Sequence, residues 1–211
     1  MHIFLIIGLT ILISVQTLAG DLEDILAQYQ GQKFSEIKLE KKVISELFNK
    51  EKKYSGILYL TEGKFRLDIF KPESSIILFD GAAVWSIRGD GSDLGSAAVS
   101  KFVVPKNSNK GLLLGQIFYS KGLGPALKIV KSDLLPNKNT EYTLKVTDPT
   151  LTISELKIRT NKSKKKITEI EYIDEIGNKT VMTFESVKFL KTIPKNKFTY
   201  KPAKGVKVEE L

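Results

Sequence analysis

Between Lys64 and Lys71 the apolar residues fall at every second position: Phe65, Leu67 and Ile69 alternate with Lys64, Arg66 and Asp68. A period of two places the first set on one face of a strand and the second on the other. The flanking stretches do not alternate. Gly56-Ile57-Leu58-Tyr59-Leu60 and the run SIILFDGAAVWSI, Ser75 to Ile87, are apolar at nearly every position, so both faces of these strands require cover. Asp80-Gly81 between the two arms predicts a hairpin with a two-residue type I′ turn, both central residues at positive φ. Trp85, the sole tryptophan, follows that turn and reads as core. Upstream, Phe34, Ile37, Leu39, Val43, Ile44, Leu47 and Phe48 carry a strand-like pattern, with Asn49–Lys53 as a charged turn and Thr61-Glu62-Gly63 as a second turn. Further on, Glu141–Thr147, Leu151–Arg159, Lys166–Ile173 and Lys179–Leu190 read as a meander, broken by Asp148-Pro149, Asn161–Lys165 and Gly177-Asn178.

Only two stretches read as helix. Leu22, Ile25, Leu26 and Tyr29 share one face at a 3.6-residue period, predicting a helix over Asp21–Gln30 with Asp21 as N-cap and Gly31 as stop. Gly111–Tyr119 is short and very apolar, preceded by Pro105–Asn109 and followed by Gly122-Leu123-Gly124-Pro125. A hydrophobic segment between flexible glycines is either a buried core piece or a movable cover. Arg88–Gly95 is a Gly/Asp loop without the ligand spacing and closing glutamate of an EF-hand. Helices this few cannot alternate with the strands, which excludes a parallel α/β fold. The expected fold is mainly β: an incomplete, unclosed antiparallel barrel, or strongly curved half-barrel sheet, with helices covering its concave face. A fully closed sandwich is the alternative.

Composition narrows the chemistry. The chain has 211 residues, 42% hydrophobic and 27% charged, which suits a single domain with a sizeable core. Ile3–Val15 is apolar over about the length of a signal-peptide core, and Thr17-Leu18-Ala19 places small residues at −3 and −1. Residues 1–19 are therefore expected to be a cleaved signal peptide and 20–211 the mature domain, exported to the periplasm. Cysteine is absent and the one histidine, His2, lies in the leader. A mature chain without either residue is poorly equipped for a zinc site, a thiol nucleophile or a Ser-His-Asp triad, so no catalytic residue, metal or cofactor is expected. The net charge of +9 belongs wholly to residues after Gly20. Lys162, Lys164, Lys165 and Lys166 crowd one turn, and seven lysines between Lys188 and Lys207 have no acidic residue among them in sequence. Such a surface suits anionic headgroups or an acidic partner rather than nucleic acid after export.

SGILYLTEGKFRLDIFKPESSIILFDGAAVWSI, together with the ending KFTYKPAKGVKVEE, resembles the LolA family of periplasmic carriers that ferry lipoproteins to the outer membrane. The shared features are a Gly-led strand, an aromatic strand ending in x-Pro, Asp-Gly before a Trp-containing strand, and Phe198, Pro202, Gly205, Val206 and Val208 in a Phe…Pro…Gly-Val-x-Val ending. The resemblance implies an acyl-chain cavity between sheet and helices, with Phe65 and Leu67 on the cavity-facing strand and Leu112–Phe118 as the lid helix. On that reading Leu58, Leu60, Phe65, Leu67, Ile69, Ile77, Phe79, Leu112, Leu113, Ile117 and Phe118 contact acyl chains, and Lys195, Lys197, Lys201 and Lys204 face outward to guide docking. The chain departs from the family in one respect. An Arg-Pro that helps hold the lid shut is replaced here by Thr61-Glu62-Gly63, and Arg66 is offset onto the opposite face.

The resemblance also implies lipoproteins as cargo, an inner-membrane lipoprotein-releasing ABC transporter and an outer-membrane receptor as partners, and a monomeric carrier with no enzymatic activity. The competing function is a periplasmic sensor of lipids or lipoproteins, regulating the response to envelope stress from the same scaffold, for which a second domain would be expected. A hydrolase using Glu62, Asp68 or Asp80 ranks last, because Asp80 and Glu62 are accounted for by turns.

Overall fold

The computed structural model describes residues 13–89, 98–104, 112–119 and 122–211. Most of the leader, most of the Gly/Asp loop, the Pro105–Asn109 helix start and Gly111 lie outside them. Helix α1 (Ile13–Gln30) is followed by strands β1 (Phe34–Ser45), β2 (Lys50–Thr61), β3 (Lys64–Lys71), β4 (Ser75–Phe79), β5 (Ala83–Arg88) and β6 (Ala98–Val103). After the short helix α2 (Leu113–Phe118) come β7 (Leu127–Leu134), β8 (Asn139–Val146), β9 (Ile153–Asn161), β10 (Lys166–Asp174), β11 (Asn178–Leu190) and β12 (Val208–Glu210). All twelve strands form one unclosed sheet in the order β12-β6-β5-β4-β3-β2-β1-β11-β10-β9-β8-β7. Every pairing is antiparallel except β12 with β6. The expected open half-barrel is the observed architecture.

Topology explains the helical cover. β1 pairs with β11, so the two ends of the meander meet in the middle of the sheet and β6 and β7 fall towards opposite edges. The chain from Val104 to Ala126 therefore has to cross from one side of the sheet to the other, and α2 lies on that crossing. α1 lays Leu22, Ile25, Leu26 and Tyr29 against the same concave face, all buried.

Alternation along β4 and β5 answers why that hairpin is apolar on both sides. Ile77, Phe79 and Val84 join the concave cluster, whereas Ile76, Leu78, Ala83, Trp85 and Ile87 belong to a second cluster on the convex face. The C-terminal segment covers the second cluster. Phe198 stands edge-on to Phe34 at 6.0 Å, Phe34 stacks on Tyr59 at 5.9 Å, and Tyr200 meets Trp85 at 5.3 Å between ring centroids. A buried ionic clamp ties the segment down: Asp68 receives Arg66 Nε at 2.6 Å and Lys197 Nζ at 3.2 Å, while that ammonium lies 3.5 Å from the centre of the Tyr59 ring. The convex face of β8–β11 is covered differently, by ion pairs. Arg159 bridges Glu141 (2.6 Å) and Glu169 on the two neighbouring strands, and Lys179 meets buried Glu171 at 2.7 Å.

Several local expectations are corrected. α1 begins at Ile13, so Asp21 is inside the helix rather than its N-cap and pairs instead with Lys162 at 2.8 Å. The turn before β2 is Glu46–Asn49, not Asn49–Lys53: Ser45 pairs with Lys50 and Asn49 takes φ 46°, which leaves Leu47 and Phe48 exposed at the hairpin tip. The Asp80-Gly81 turn is not the two-residue I′ form. Phe79 pairs with Val84 and β5 begins at Ala83, so residues 80–82 make the connection, and only Gly81 among them has positive φ (100°). Asp80 closes the loop from its side chain, accepting the N–H groups of Ala82 and Ala83 (both 2.9 Å) and Trp85 Nε1 (2.8 Å). Partial burial opposes ionisation of this carboxyl, but those hydrogen bonds and the nearby Lys64 prevail and hold it below its ordinary range. Leu151 sits in a 3₁₀ turn, Pro149–Leu151, ahead of β9 rather than in the strand.

The clamp on Asp68 yields a stability prediction. Asp68→Ala leaves Arg66 and Lys197 without their shared carboxylate on a largely buried surface, and loss of one partner of such a pair costs about 3 kcal/mol. Urea unfolding should show that loss, with Trp85 fluorescence reporting a loosened C-terminal segment.

Candidate functional site

The eleven residues expected to contact acyl chains come together. Leu58 and Leu60 on β2, Phe65, Leu67 and Ile69 on β3, Phe79 on β4 and Ile117 and Phe118 on α2 are buried members of one apolar cluster, and Ile77, Leu112 and Leu113 pack against it. Cross-strand register makes the layer continuous: Leu58 lies opposite Leu67, Leu60 opposite Phe65, Phe65 opposite Phe79 and Leu67 opposite Ile77. The α1 face and α2 press directly onto it, so the space between sheet and helices is occupied by the protein's own side chains. Tyr29 illustrates the fit: its ring contacts Phe118 and Phe189 with centroids 5.4 and 5.3 Å away, and its hydroxyl accepts the Ile167 N–H at 3.0 Å.

α2 is held by polar contacts that sequence reasoning missed. Gln30, the last residue of α1, donates from Nε2 to the Gly122 carbonyl at 2.9 Å and accepts the Gly122 N–H on Oε1 at 3.2 Å; Nε2 also lies 3.5 Å from the Ile117 carbonyl. A single amide side chain thus reads both backbone groups of the turn after α2. On the far side, Gln116 is 1% exposed and its Oε1 accepts the Ala126 N–H at 3.4 Å, while its carbonyl accepts the Gly124 N–H at 2.9 Å. Gly124 is required by close approach: a Cβ there would stand 1.9 Å from Gln116 Oε1 and 2.9 Å from Gln116 Cα. The available signal was weak, a lone glutamine in each of two otherwise apolar helix faces. In the Thr61-Glu62-Gly63 turn, Thr61 Oγ1 donates to the Lys33 carbonyl at 2.8 Å, a contact to the α1–β1 connection rather than to α2.

Below Gln30 a cavity of about 320 Å³ opens between the end of α1, the β2–β3 turn and the end of α2, with Tyr29, Gln32, Leu60, Thr61, Phe118 and Tyr119 in its wall. It is the point at which the apolar layer reaches a polar rim.

The four docking lysines do not form one set. Lys195, Lys201 and Lys204 are exposed, but Lys197 is turned in against Asp68 and Tyr59 and cannot serve as an outward charge. Acids distant in sequence come close in the fold, Asp68 to Lys197 and Glu36 to Lys188 at 3.2 Å, so the lysine run is partly neutralised. Among the described residues no group of acidic or histidine side chains could hold a metal ion, and no helix is long and apolar enough to cross a membrane.

Residues 36–201 match the family model described as outer membrane lipoprotein carrier protein LolA. No curated protein matches the chain in sequence. Among solved structures, a conserved protein from Thermus thermophilus shares the fold at 11% identity and a TM-score of 0.51, over 94% of this chain and 99% of that one. A LolA superfamily protein from Nitrosomonas europaea aligns at 12% identity and a TM-score of 0.47, over 88% and 97% of the two chains. A chain of the MucA/MucB complex from Pseudomonas aeruginosa aligns at 9% identity and a TM-score of 0.42, over 87% of this chain and 61% of that one.

Gly124→Ala tests the packing behind α2. The added methyl meets both the side chain and the Cα of buried Gln116, an overpacking that costs about 1–3 kcal/mol. A lowered unfolding midpoint without change in sheet content by circular dichroism is the expected result.

Proposed function

The chain belongs to the LolA family of outer membrane lipoprotein carriers, and from that premise we propose that it shields the acyl chains of lipoproteins within its concave apolar layer and carries them across the periplasm to the outer membrane. The observation that supports this reading is the layer itself: seven apolar residues from three strands form one patch, and the four from α2 and its N-cap Leu112 that cover it sit on a six-residue helix fastened through glutamine side chains and turns. Such a cover can be exchanged. Acyl chains entering between sheet and α2 replace Ile117 and Phe118 with equivalent hydrocarbon, so little apolar surface meets water at any stage. Each buried CH₂ is worth about 0.8 kcal/mol, which holds a lipid anchor firmly without a polar lock inside the layer. Release then requires only a receptor offering a better apolar surface, with no nucleotide consumed by the carrier.

Gln30 takes the role that an arginine plays elsewhere in the family. Its two bonds to Gly122 connect the cover to the fixed end of α1, so the lid opens when that amide pair exchanges for water. Lys195, Lys201 and Lys204 supply the exposed positive charge that guides the loaded carrier to an acidic partner surface, acting mainly on the association rate.

Two experiments test the reading. Mass spectrometry of the protein purified from the periplasm should find triacylated lipoprotein on the wild type, and Phe65→Glu should reduce the amount captured at least about tenfold, the factor corresponding to 1.4 kcal/mol, while the domain stays folded; undiminished capture would overturn the site. Gln30→Ala should speed uptake of a fluorescent apolar probe at a stability cost of about 1–2 kcal/mol, the worth of the hydrogen bonds removed; uptake at the wild-type rate would show that the amide does not govern the cover.

A further inference from the structure

Two turns at one end of the sheet expose apolar side chains that neither turn uses. Of the large apolar side chains described, the five most exposed are Leu47, Leu134, Ile176, Leu211 and Phe48. Three of them share one place. Ser45 pairs with Lys50 on one side and with Asn178 on the other, so the β1–β2 and β10–β11 turns project side by side from the middle of the sheet. The two turns are built alike. Residues 46–49 are closed by the Asn49 N–H donating to the Glu46 carbonyl at 3.2 Å, and residues 174–177 by the Gly177 N–H donating to the Asp174 carbonyl at 3.1 Å. Asn49 (φ 46°) and Gly177 (φ 82°) supply the left-handed fourth position, and the Asp174 carboxylate accepts the N–H groups of Ile176 and Asn178. Backbone bonds and polar residues thus make both turns, as they ordinarily do. Leu47, Phe48 and Ile176 occupy the outer positions at 81%, 68% and 75% exposure and take no part in the closure.

Charge identifies the occupant. The stretch from Lys41 to Lys53 holds five lysines and two glutamates. Lys42 and Lys53 share Glu51, both at 3.5 Å, whereas Lys50 and Lys52 are exposed and have no ion pair among the described residues. The acids beside the apolar positions are Glu46 and Glu175, both exposed. Three side chains on two narrow turns fall well short of the ~800 Å² that one partner brings to a stable protein interface. A bilayer needs no such area, because it admits a few projecting apolar groups while cations beside them meet anionic headgroups. We propose that the paired turns are a membrane-contact site: Leu47, Phe48 and Ile176 enter the boundary between headgroups and acyl chains of an anionic phospholipid bilayer, and Lys50 and Lys52 meet its phosphates. The site is separate from the docking lysines. It stands at the Asn178 end of β11, whereas the segment carrying Lys195, Lys201 and Lys204 leaves from the Leu190 end of that thirteen-residue strand. The inference goes beyond the carrier reading, since it concerns what the chain touches rather than what it holds.

The test is co-sedimentation of the full-length mature chain with vesicles of phosphatidylethanolamine and phosphatidylglycerol, and with vesicles of phosphatidylcholine alone. The wild type should favour the anionic vesicles, and raised ionic strength should weaken that binding without abolishing it. Leu47→Ser combined with Phe48→Ser should lose at least about tenfold in affinity through the apolar groups withdrawn. Lys50→Gln combined with Lys52→Gln should lose at least about fivefold on anionic vesicles and nothing on neutral ones. Because the chain has no cysteine, Leu47→Cys can carry a single environment-sensitive fluorophore. Its emission should shift to the blue when anionic vesicles are added, and nitroxide-labelled lipid should quench it. A fluorophore that keeps its aqueous emission while the protein sediments with vesicles overturns the site. Undiminished binding by the serine variant, or no binding by the wild type, does the same. Wild-type dimers that dissociate in the serine variant would assign the turns to a second copy and also overturn it. A wild type that binds vesicles but captures no lipoprotein removes only the carrier reading; one that captures lipoprotein but binds no vesicle removes only this site.

Discussion

A sheet that is apolar on both faces cannot rest against water on either, and the remainder of this structure follows from that constraint. β2, β4 and β5 carry large apolar residues at successive positions, so each needs two different covers. A closed sandwich would bury one face per sheet and leave the other polar. Here the chain keeps a single sheet and assigns the covers separately. Helices α1 and α2 take the concave side, and the C-terminal segment, through Phe198, Tyr200, Val206 and Val208, takes the convex side of the N-terminal half. The C-terminal half avoids the second requirement by placing Arg159, Lys157, Glu141, Glu169 and Glu171 outward. One sheet thus has two kinds of outer surface, and only one of them needs the chain's own terminus.

That division has a functional reading. The convex cover is anchored by a carboxylate shared between two cations and by two aromatic contacts, and β12 extends it by pairing with β6. Among the described residues α2 pairs with no strand and is fixed through Gln30 and Gln116, while α1 is held by Tyr29 and Asp21. On the proposed carrier reading, the side that opens is secured by a few exchangeable hydrogen bonds over an apolar surface, and the side that stays shut by ions and rings.

Much of this was legible in the sequence because it depends on periodicity. The alternation of Phe65, Leu67 and Ile69 located β3 and its inward face, and the doubly apolar arms around Asp80-Gly81 signalled a sheet with two buried sides. Other features depend on distance in space. β6 and β7 carry mixed patterns and exist as strands because β5 and β8 offer them edges. β12, three residues long, owes its place to the neighbouring strand rather than to any propensity of Val208–Glu210. Lys197 read as one more surface charge until Asp68, 129 positions earlier, came within 3.2 Å. That the eleven apolar residues share one buried cluster was legible from their positions in the strands and the short helix. Gln30 and Gly124 were not, since the role of a polar atom or of a close approach is set by its partner.

The convex cluster also sets an order of assembly. Phe34 opens β1 and Phe198 lies beyond β11, yet the two rings meet. Contacts between residues so far apart close late and slowly, because the loop entropy must be met before the contact returns anything. A chain made from its N-terminus therefore presents Phe34, Tyr59, Leu78 and Trp85 as an uncovered apolar band until the Phe198–Val208 segment has been made, and the half-barrel acquires a water-compatible exterior only when that segment is laid across it. A form ending before Phe198 accordingly leaves this band open to contacts with other chains.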